Sequence, residues 1–238
     1  MSAKWMKPAR KVHKWLGYLL ALQLLAWLLG GLVMSAIPLE KVHGKHLANR
    51  TLENPYSLSD YTAWQNITWS AHQTTSKVEL LHFLNTPLIK ITHQTGEIAW
   101  LNGRTALPFE PPTEADIRKQ AMAHLMVKDS PIRSVKHLSN GPAEAGHKDN
   151  IWQVIIADSL ETTLYFDAQS GLLTTVRSHL WRIFDFFWML HIMDYDEREN
   201  FNNPLLISFA ATSVLFCIAG IVLLFQSPPW RKKRKRLR

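Results

Sequence analysis

Two long apolar runs without a formal charge lie near opposite ends of this chain, at residues 15–39 and 200–230. A helix of about 20 apolar residues, rising about 1.5 Å per residue, spans the roughly 30 Å hydrocarbon core of a bilayer. Both runs are long enough, so we predict transmembrane helices at 15–39 and 201–230. A cleaved signal peptide is the alternative for the first run, but the run exceeds the apolar stretch of roughly 7–15 residues that is usual there.

Basic residues crowd the outer flank of each run and predict the orientation of the chain. They are Lys4, Lys7, Arg10, Lys11 and Lys14 before the first run, and Arg231, Lys232, Lys233, Arg234, Lys235, Arg236 and Arg238 after the second. Lys and Arg close to a membrane segment stay in the cytoplasm. The tails 1–14 and 231–238 are therefore predicted to be cytoplasmic and to contact membrane lipid. Residues 40–177 then form a domain on the other side, and 178–200 form an interfacial aromatic helix and connector.

The net charge of +8 comes from these tails, which hold 12 of the 27 Lys and Arg residues. The remaining 15 are outnumbered by the 19 acidic residues, so the composition does not predict nucleic-acid binding. The single cysteine, Cys217, lies inside the second apolar run. The chain therefore offers no internal disulfide and no cysteine set for zinc or an iron–sulfur cluster.

The middle segment has the pattern of an α+β domain. Apolar, β-branched and aromatic residues predict strands at 78–84, 88–92, 98–101, 132–138, 151–156, 162–166 and 172–176. A turn is predicted at 85–87. Thr113, with Asp116 three residues later, is typical of a helix N-cap, and apolar residues at helical spacing extend this helix to Met126. We predict one antiparallel sheet with the helix packed on one face, flanked by two transmembrane helices.

Three short motifs follow one another along the chain. They are Arg10-Lys11-Val12-His13-Lys14-Trp15-Leu16-Gly17, Tyr165-Phe166-Asp167-Ala168-Gln169-Ser170-Gly171, and Leu190-His191. In this order they resemble the motifs of the PepSY-associated transmembrane family. The resemblance implies a bacterial inner-membrane protein with a periplasmic PepSY-like domain. Larger members of that family have four or more membrane helices, so this two-helix chain is expected to form a homodimer.

The resemblance implies two classes of function. Some members are heme-bearing reductases, which implies a b-type heme that carries electrons to ferric iron or a ferric chelate in support of iron uptake. Isolated PepSY modules imply the alternative, a non-catalytic membrane-tethered module that binds or inhibits a periplasmic partner. The sequence identifies no electron donor. It contains no serine-hydrolase, zinc-protease or nucleotide-binding motif that predicts another enzyme.

Histidines near the predicted membrane ends are the candidate ligands of a b-type heme. The chain has no Cys-x-x-Cys-His motif, which excludes covalent attachment of the c type. His191 is the first candidate, because Phe184 and Phe187 share its helix face at about 100° per residue and form an aromatic wall. The alternative is an interfacial helix whose aromatic rings lie among lipid headgroups.

Three further histidines complete the candidate set. His46 is the predicted partner of His191, and these two are the predicted metal ligands, although a solvated loop is the alternative for His46. His13 is the candidate at the inner membrane end, where contact with lipid headgroups is the alternative. His179 lies about 120° around the helix from His191, so these two cannot ligate one iron unaided. The acidic run 194–199 is either a cation-collecting site or a solvated connector.

Overall fold

The structure is a computed structural model that describes residues 6–62, 67, 74–127 and 130–226. The predictions for residues 1–5 and 227–238, which include the C-terminal basic tail and the end of the second apolar run, lie outside the described residues.

The chain divides into two compact units. We call residues 1–37 and 184–238 the helical unit, and Pro38–Ile183 the sheet unit. The helices are α1 (Met6–Ala36), α2 (Leu39–Val42), α3 (Glu114–His124), α4 (His179–Ile192) and α5 (Pro204–Gln226). The strands are β1 (Thr75–Phe83), β2 (Thr86–His93), β3 (Ile98–Asn102), β4 (Ile132–Leu138), β5 (Ile151–Ile156), β6 (Thr163–Asp167) and β7 (Leu173–Arg177).

Two helices are long and apolar enough to cross a membrane. They correspond to Lys7–Ala36 and Pro204–Phe225, with mean hydropathies of 2.0 and 2.5. Only 11% of the most apolar stretch of each is buried inside the chain. A core helix of a soluble protein is instead covered by protein on most of its apolar surface. The described part of the chain is therefore an α+β protein with two candidate membrane-spanning helices.

The ends of these two helices follow from local chemistry. α1 ends at Ala36, close to Pro38, because a proline disfavours helical backbone in the residue before it. α5 begins at Pro204, a residue suited to the first helical position. The Asn203 side chain caps α5, since its Oδ1 accepts a hydrogen bond from the Leu206 amide at 2.8 Å. α1 begins at Met6 rather than at residue 15, because Lys and Arg are good helix formers.

The helical unit packs α1 against α5 around a small apolar core. Leu20 and Phe209 are buried at its centre together with Met193, which follows α4. Partly buried apolar residues surround them, namely Leu16, Leu24, Trp27, Leu206 and Phe216. The apolar side chains outside this core are mostly exposed, as expected of surfaces that lipid solvates.

The sheet unit contains two antiparallel sheets among its described residues, so the prediction of one sheet is wrong. The first has the order β1-β2-β3, and the second has the order β4-β5-β6-β7. The linker 107–112 and α3 lie between β3 and β4 along the chain, and β3 and β4 do not pair with each other. The individual strands were predicted well, and the limits of β4 and β5 coincide with the predicted ones.

Helix α3 packs onto the second sheet and joins the two sheets in one core. Ile117 and Ala121 of α3 are completely buried against Val154 and Leu164 of the sheet. Phe83 at the end of β1 belongs to the same cluster. The predicted cap is confirmed, because the Asp116 amide donates to Thr113 Oγ1 at 3.3 Å and the Thr113 amide donates to Asp116 Oδ2 at 3.2 Å.

Two local predictions need correction. The first hairpin turns at Leu84 and Asn85, whereas Thr86 and Pro87, which were predicted in the turn, belong to β2. Helix α3 ends at His124 instead of Met126. The Met126 amide there donates to the Leu47 carbonyl oxygen at 3.0 Å, which draws the chain into a pairing with residues 47 and 48.

Candidate functional site

His191 lies at the end of α4 against the backbone of α1. Its Nδ1 is 3.3 Å from the carbonyl oxygen of Trp27, and its ring lies 5.2 Å from the Trp27 ring between centroids. Two glycines of α1 lie beside this ring. A Cβ on Gly30 would lie 3.7 Å from His191 Nδ1 and 3.2 Å from the Phe187 carbonyl oxygen, and a Cβ on Gly31 would lie 3.9 Å from His191 Cε1.

The contact with Trp27 determines which nitrogen of His191 carries the proton. A carbonyl oxygen only accepts, so Nδ1 of His191 is the donor. In the neutral ring Nε2 is then unprotonated and has a free lone pair. Histidines that ligate metals usually hold their other ring N–H in this way, on a backbone carbonyl or a carboxylate.

His13 lies near the other end of α1 and makes the same kind of contact with α5. Its Nδ1 is 3.1 Å from the Phe216 carbonyl oxygen. Its ring stacks on the Phe216 ring, with centroids 4.1 Å apart and planes inclined by 6°. A Cβ on Gly220 would lie 3.0 Å from His13 Cε1, so only glycine leaves room for the ring as it stands. In its neutral form the His13 ring therefore also has an unprotonated Nε2.

The two imidazoles belong to different ends of the helical unit. Gly30, which contacts His191, is 17 positions along α1 from His13. At about 1.5 Å per residue this corresponds to roughly 25 Å along the helix axis. Among the described residues, no group of three or more His, Cys, Asp or Glu side chains is placed to hold a metal ion. One copy of the chain thus offers one imidazole near each end of α1.

Two buried polar atoms of the helical unit lack a hydrogen-bond partner among the described residues. They are Trp27 Nε1 and Ser213 Oγ. A buried polar group without a partner costs about 1–3 kcal/mol. Trp27, whose ring lies beside His191, thus carries a buried donor without a partner among the described residues.

The other predicted ligands, His46 and His179, belong to the sheet unit. His46 lies in an exposed turn after α2, and its side chain forms no hydrogen bond or ion pair with the described residues. His179 begins α4, and its Nε2 lies 3.2 Å from a carboxylate oxygen of Glu161 at an exposed position. Among the described residues, neither ring has an Nδ1 that is hydrogen-bonded to a carbonyl oxygen, as His13 and His191 have. The pairing of His191 with His46 stays a prediction.

The acidic run has the geometry of a connector. The Asp194 carboxylate accepts the amides of Glu199 and Asn200, each at 3.0 Å, and these bonds hold its pKa below the usual value. Arg198 forms an ion pair with Asp185 of α4. The carboxylates engaged in these bonds tie the segment between α4 and α5 to itself and to α4.

A partly buried ionic cluster holds the beginning of α4 on the second sheet. Arg182 donates to both carboxylate oxygens of Glu144, at 2.7 and 2.9 Å, and the Tyr165 hydroxyl donates to the same carboxylate at 2.7 Å. Burial by itself raises the pKa of Glu144, but the hydrogen bonds from Arg182 and Tyr165 outweigh it and keep the pKa lowered. Burial and the Glu144 carboxylate both raise the pKa of Tyr165. This cluster is structural, because every member bonds to another.

Trp27 and Phe216 were missed as parts of the site because they act through backbone oxygen atoms. The Trp27 ring of α1 lies beside His191, and the aromatic wall of Phe184 and Phe187 stays a prediction. The usable signal in the sequence was glycine, since Gly30 and Gly220 stand where an imidazole meets a neighbouring helix. Comparisons with protein-family models, with curated proteins and with solved structures gave no match to this chain.

Proposed function

We propose that this protein is a b-type heme electron carrier of the bacterial inner membrane, which acts as a homodimer and reduces ferric iron on the periplasmic side. The observation that carries the proposal is that two imidazoles of the helical unit form the same kind of hydrogen bond. His13 and His191 each donate Nδ1–H to a carbonyl oxygen of another helix, at 3.1 and 3.3 Å. Each therefore offers Nε2, the nitrogen that ligates heme iron.

The homodimer follows from the number of ligands. One chain has a single imidazole near each end of α1, whereas a bis-histidine site needs two. A two-fold axis parallel to the membrane helices pairs each imidazole with its equivalent from a second copy. Two such sites in the dimer, one near each membrane face, provide a route for electrons across the bilayer.

Bound between two imidazoles, a b-type heme supplies a one-electron centre whose potential depends on its ligands and burial. The protein residues orient and enclose it. Trp27 and Phe216 fix the imidazole tautomers through their carbonyl oxygens, and Gly220 leaves room for the His13 ring. The free indole N–H of Trp27 suits an acidic substituent of a porphyrin. Ferric iron as the electron acceptor rests on the resemblance described above.

The visible spectrum of the full-length chain tests this function. The protein is expressed with ample heme, purified in detergent, and recorded before and after dithionite reduction. We expect a Soret band that shifts on reduction, a low-spin bis-histidine signal in electron paramagnetic resonance, and about one heme per chain. A colourless protein that takes up no added hemin refutes the proposal and leaves the membrane-tethered binding module.

Four alanine variants distinguish between the ligand sets. His13→Ala and His191→Ala are each expected to reduce the heme content to about half, because each removes one of two sites. His46→Ala and His179→Ala serve as matched controls and are expected to keep the full content. Loss of heme in His46→Ala together with full retention in His13→Ala instead supports pairing of His191 with His46.

A further inference from the structure

A second candidate site lies within the sheet unit. It is a cavity of about 180 Å³. The residues that line it come from the segment after α2, from β1, from α3 and from the start of β7, and they are Arg50, Thr51, Leu52, Leu81, His82, Gln120, His124, Leu172 and Leu173. At about 30 Å³ per water molecule, the space equals about six waters, which suits one small organic molecule.

The floor of the cavity is polar and holds an unused acceptor. Gln120 and His124 are only 2% and 4% exposed. His124 Nδ1 donates to the Asn49 carbonyl oxygen at 2.6 Å, so its Nε2 accepts from Gln120 Nε2 at 3.2 Å. Gln120 Oε1 is then left buried and without a partner among the described residues. A ligand that reaches this oxygen must bring a hydrogen-bond donor.

The remaining walls restrict what that donor can be. Arg50 is the exposed cationic residue of the lining, and its Nη2 is engaged by the His43 carbonyl oxygen at 3.2 Å. Among the described residues, no acidic side chain lines the cavity. An ammonium group is therefore disfavoured, because it would lose its hydration beside a guanidinium with no compensating carboxylate. A neutral hydroxyl group satisfies Gln120 without adding positive charge.

The apolar walls and Arg50 define the other end of the ligand. Leu52, Leu81 and Leu173 offer a surface for a hydrocarbon body. Arg50 has further N–H groups available for a carboxylate, which it binds well because of its planar fork of donors. We propose that this cavity binds a small hydroxy acid, with its hydroxyl on Gln120, its hydrocarbon body between the leucines and its carboxylate on Arg50.

This site does not depend on heme, so either proposal can fail without the other. The test uses isothermal titration of the full-length protein in detergent with three compounds of one size class. 4-Hydroxyphenylacetate has both polar ends, phenylacetate lacks the hydroxyl, and 2-(4-hydroxyphenyl)ethanol lacks the carboxylate. We expect saturable binding of the first, and a Kd at least about tenfold higher for each of the others.

Two substitutions assign the two ends of the ligand. Arg50→Gln is expected to raise the Kd of 4-hydroxyphenylacetate by about tenfold or more and to leave that of the alcohol unchanged. Gln120→Leu is expected to abolish the preference for 4-hydroxyphenylacetate over phenylacetate. Arg118→Gln, an exposed arginine of α3 outside the cavity, is the matched control and should bind as the unaltered chain does.

Three results overturn the proposal. They are no saturable binding of 4-hydroxyphenylacetate, equal binding of the three compounds, and equal binding by Arg50→Gln and the unaltered chain. Equal binding of all three compounds is the result expected of simple partition into detergent. Should Gln120→Leu fail to fold, the comparison of 4-hydroxyphenylacetate with phenylacetate on the unaltered chain decides the role of the hydroxyl group.

Discussion

The turn between β6 and β7 gives a prediction whose size can be worked from the structure. Gly171 has a φ of +71°, and a Cβ added to it would overlap the ring of Phe83, which is 4% exposed. Left-handed backbone costs a residue with a Cβ roughly 1–2 kcal/mol. Forcing extra volume into a packed core costs about 1–3 kcal/mol more. Gly171→Ala is therefore expected to reduce the free energy of unfolding of the sheet unit by about 2–5 kcal/mol.

A second glycine separates the two contributions. Gly96 has a φ of +88°, but a Cβ added there meets nothing within 4 Å. Gly96→Ala is thus expected to lose only the backbone contribution of roughly 1–2 kcal/mol. Urea unfolding of the full-length chain in detergent measures both variants. It is followed by amide hydrogen exchange of peptides from β6 and β7 for Gly171→Ala and of peptides from β2 and β3 for Gly96→Ala. Equal destabilisation by the two substitutions refutes the overlap between residue 171 and Phe83.

Three further predictions concern the clusters described above. Glu144→Gln should reduce the free energy of unfolding at pH 7 by about 1–3 kcal/mol, because Arg182 loses its anionic partner. Folding lowers the pKa of Glu144, so the difference in stability between the variant and the unaltered chain should shrink as the pH falls below 4.5 in matched unfolding curves. Burial lowers the pKa of His124 from 6.5, and the hydrogen bond to Asn49 offsets this only in part. The stability of the folded chain should therefore fall as the pH drops below 6.5. A His124→Asn variant should show a flatter pH dependence in thermal unfolding. Gly220→Ala should lower the heme content less than His13→Ala does, because its Cβ pushes the His13 ring by a few tenths of an ångström without removing it. Leu215→Ala, on the exposed side of α5, should leave the heme content unchanged. A heme content in Gly220→Ala as high as in Leu215→Ala would contradict the close contact between His13 and residue 220.

Much of the fold was readable from local sequence because each element depends on nearby residues. The strands β4 and β5, the cap at Thr113 and the two apolar helices follow from patterns within a few residues. The division into two sheets was not readable, since it depends on how the linker 107–112 and α3 pass between β3 and β4. Pro87 was misjudged for a similar reason, because a proline is tolerated near the start of a strand as well as in a turn.

The candidate site was only half predictable. Sequence patterns selected His13 and His191 through their position near membrane ends, and His191 also through Phe184 and Phe187 on its helix face. The partners that fix their tautomers are the carbonyl oxygens of Trp27 and Phe216. Every residue has a carbonyl oxygen, so only the packing of one helix on another reveals which one an imidazole meets. The cavity of the sheet unit was missed altogether, because its lining comes from four separate segments.

The order of the strands has a consequence for how the sheet unit reaches its structure. In both sheets every strand is bonded to the strand that precedes or follows it along the chain. Short sequence separations keep the entropy of loop closure small, and such topologies fold quickly. Each hairpin can therefore close as soon as its second strand has been synthesised, before α5 has been made.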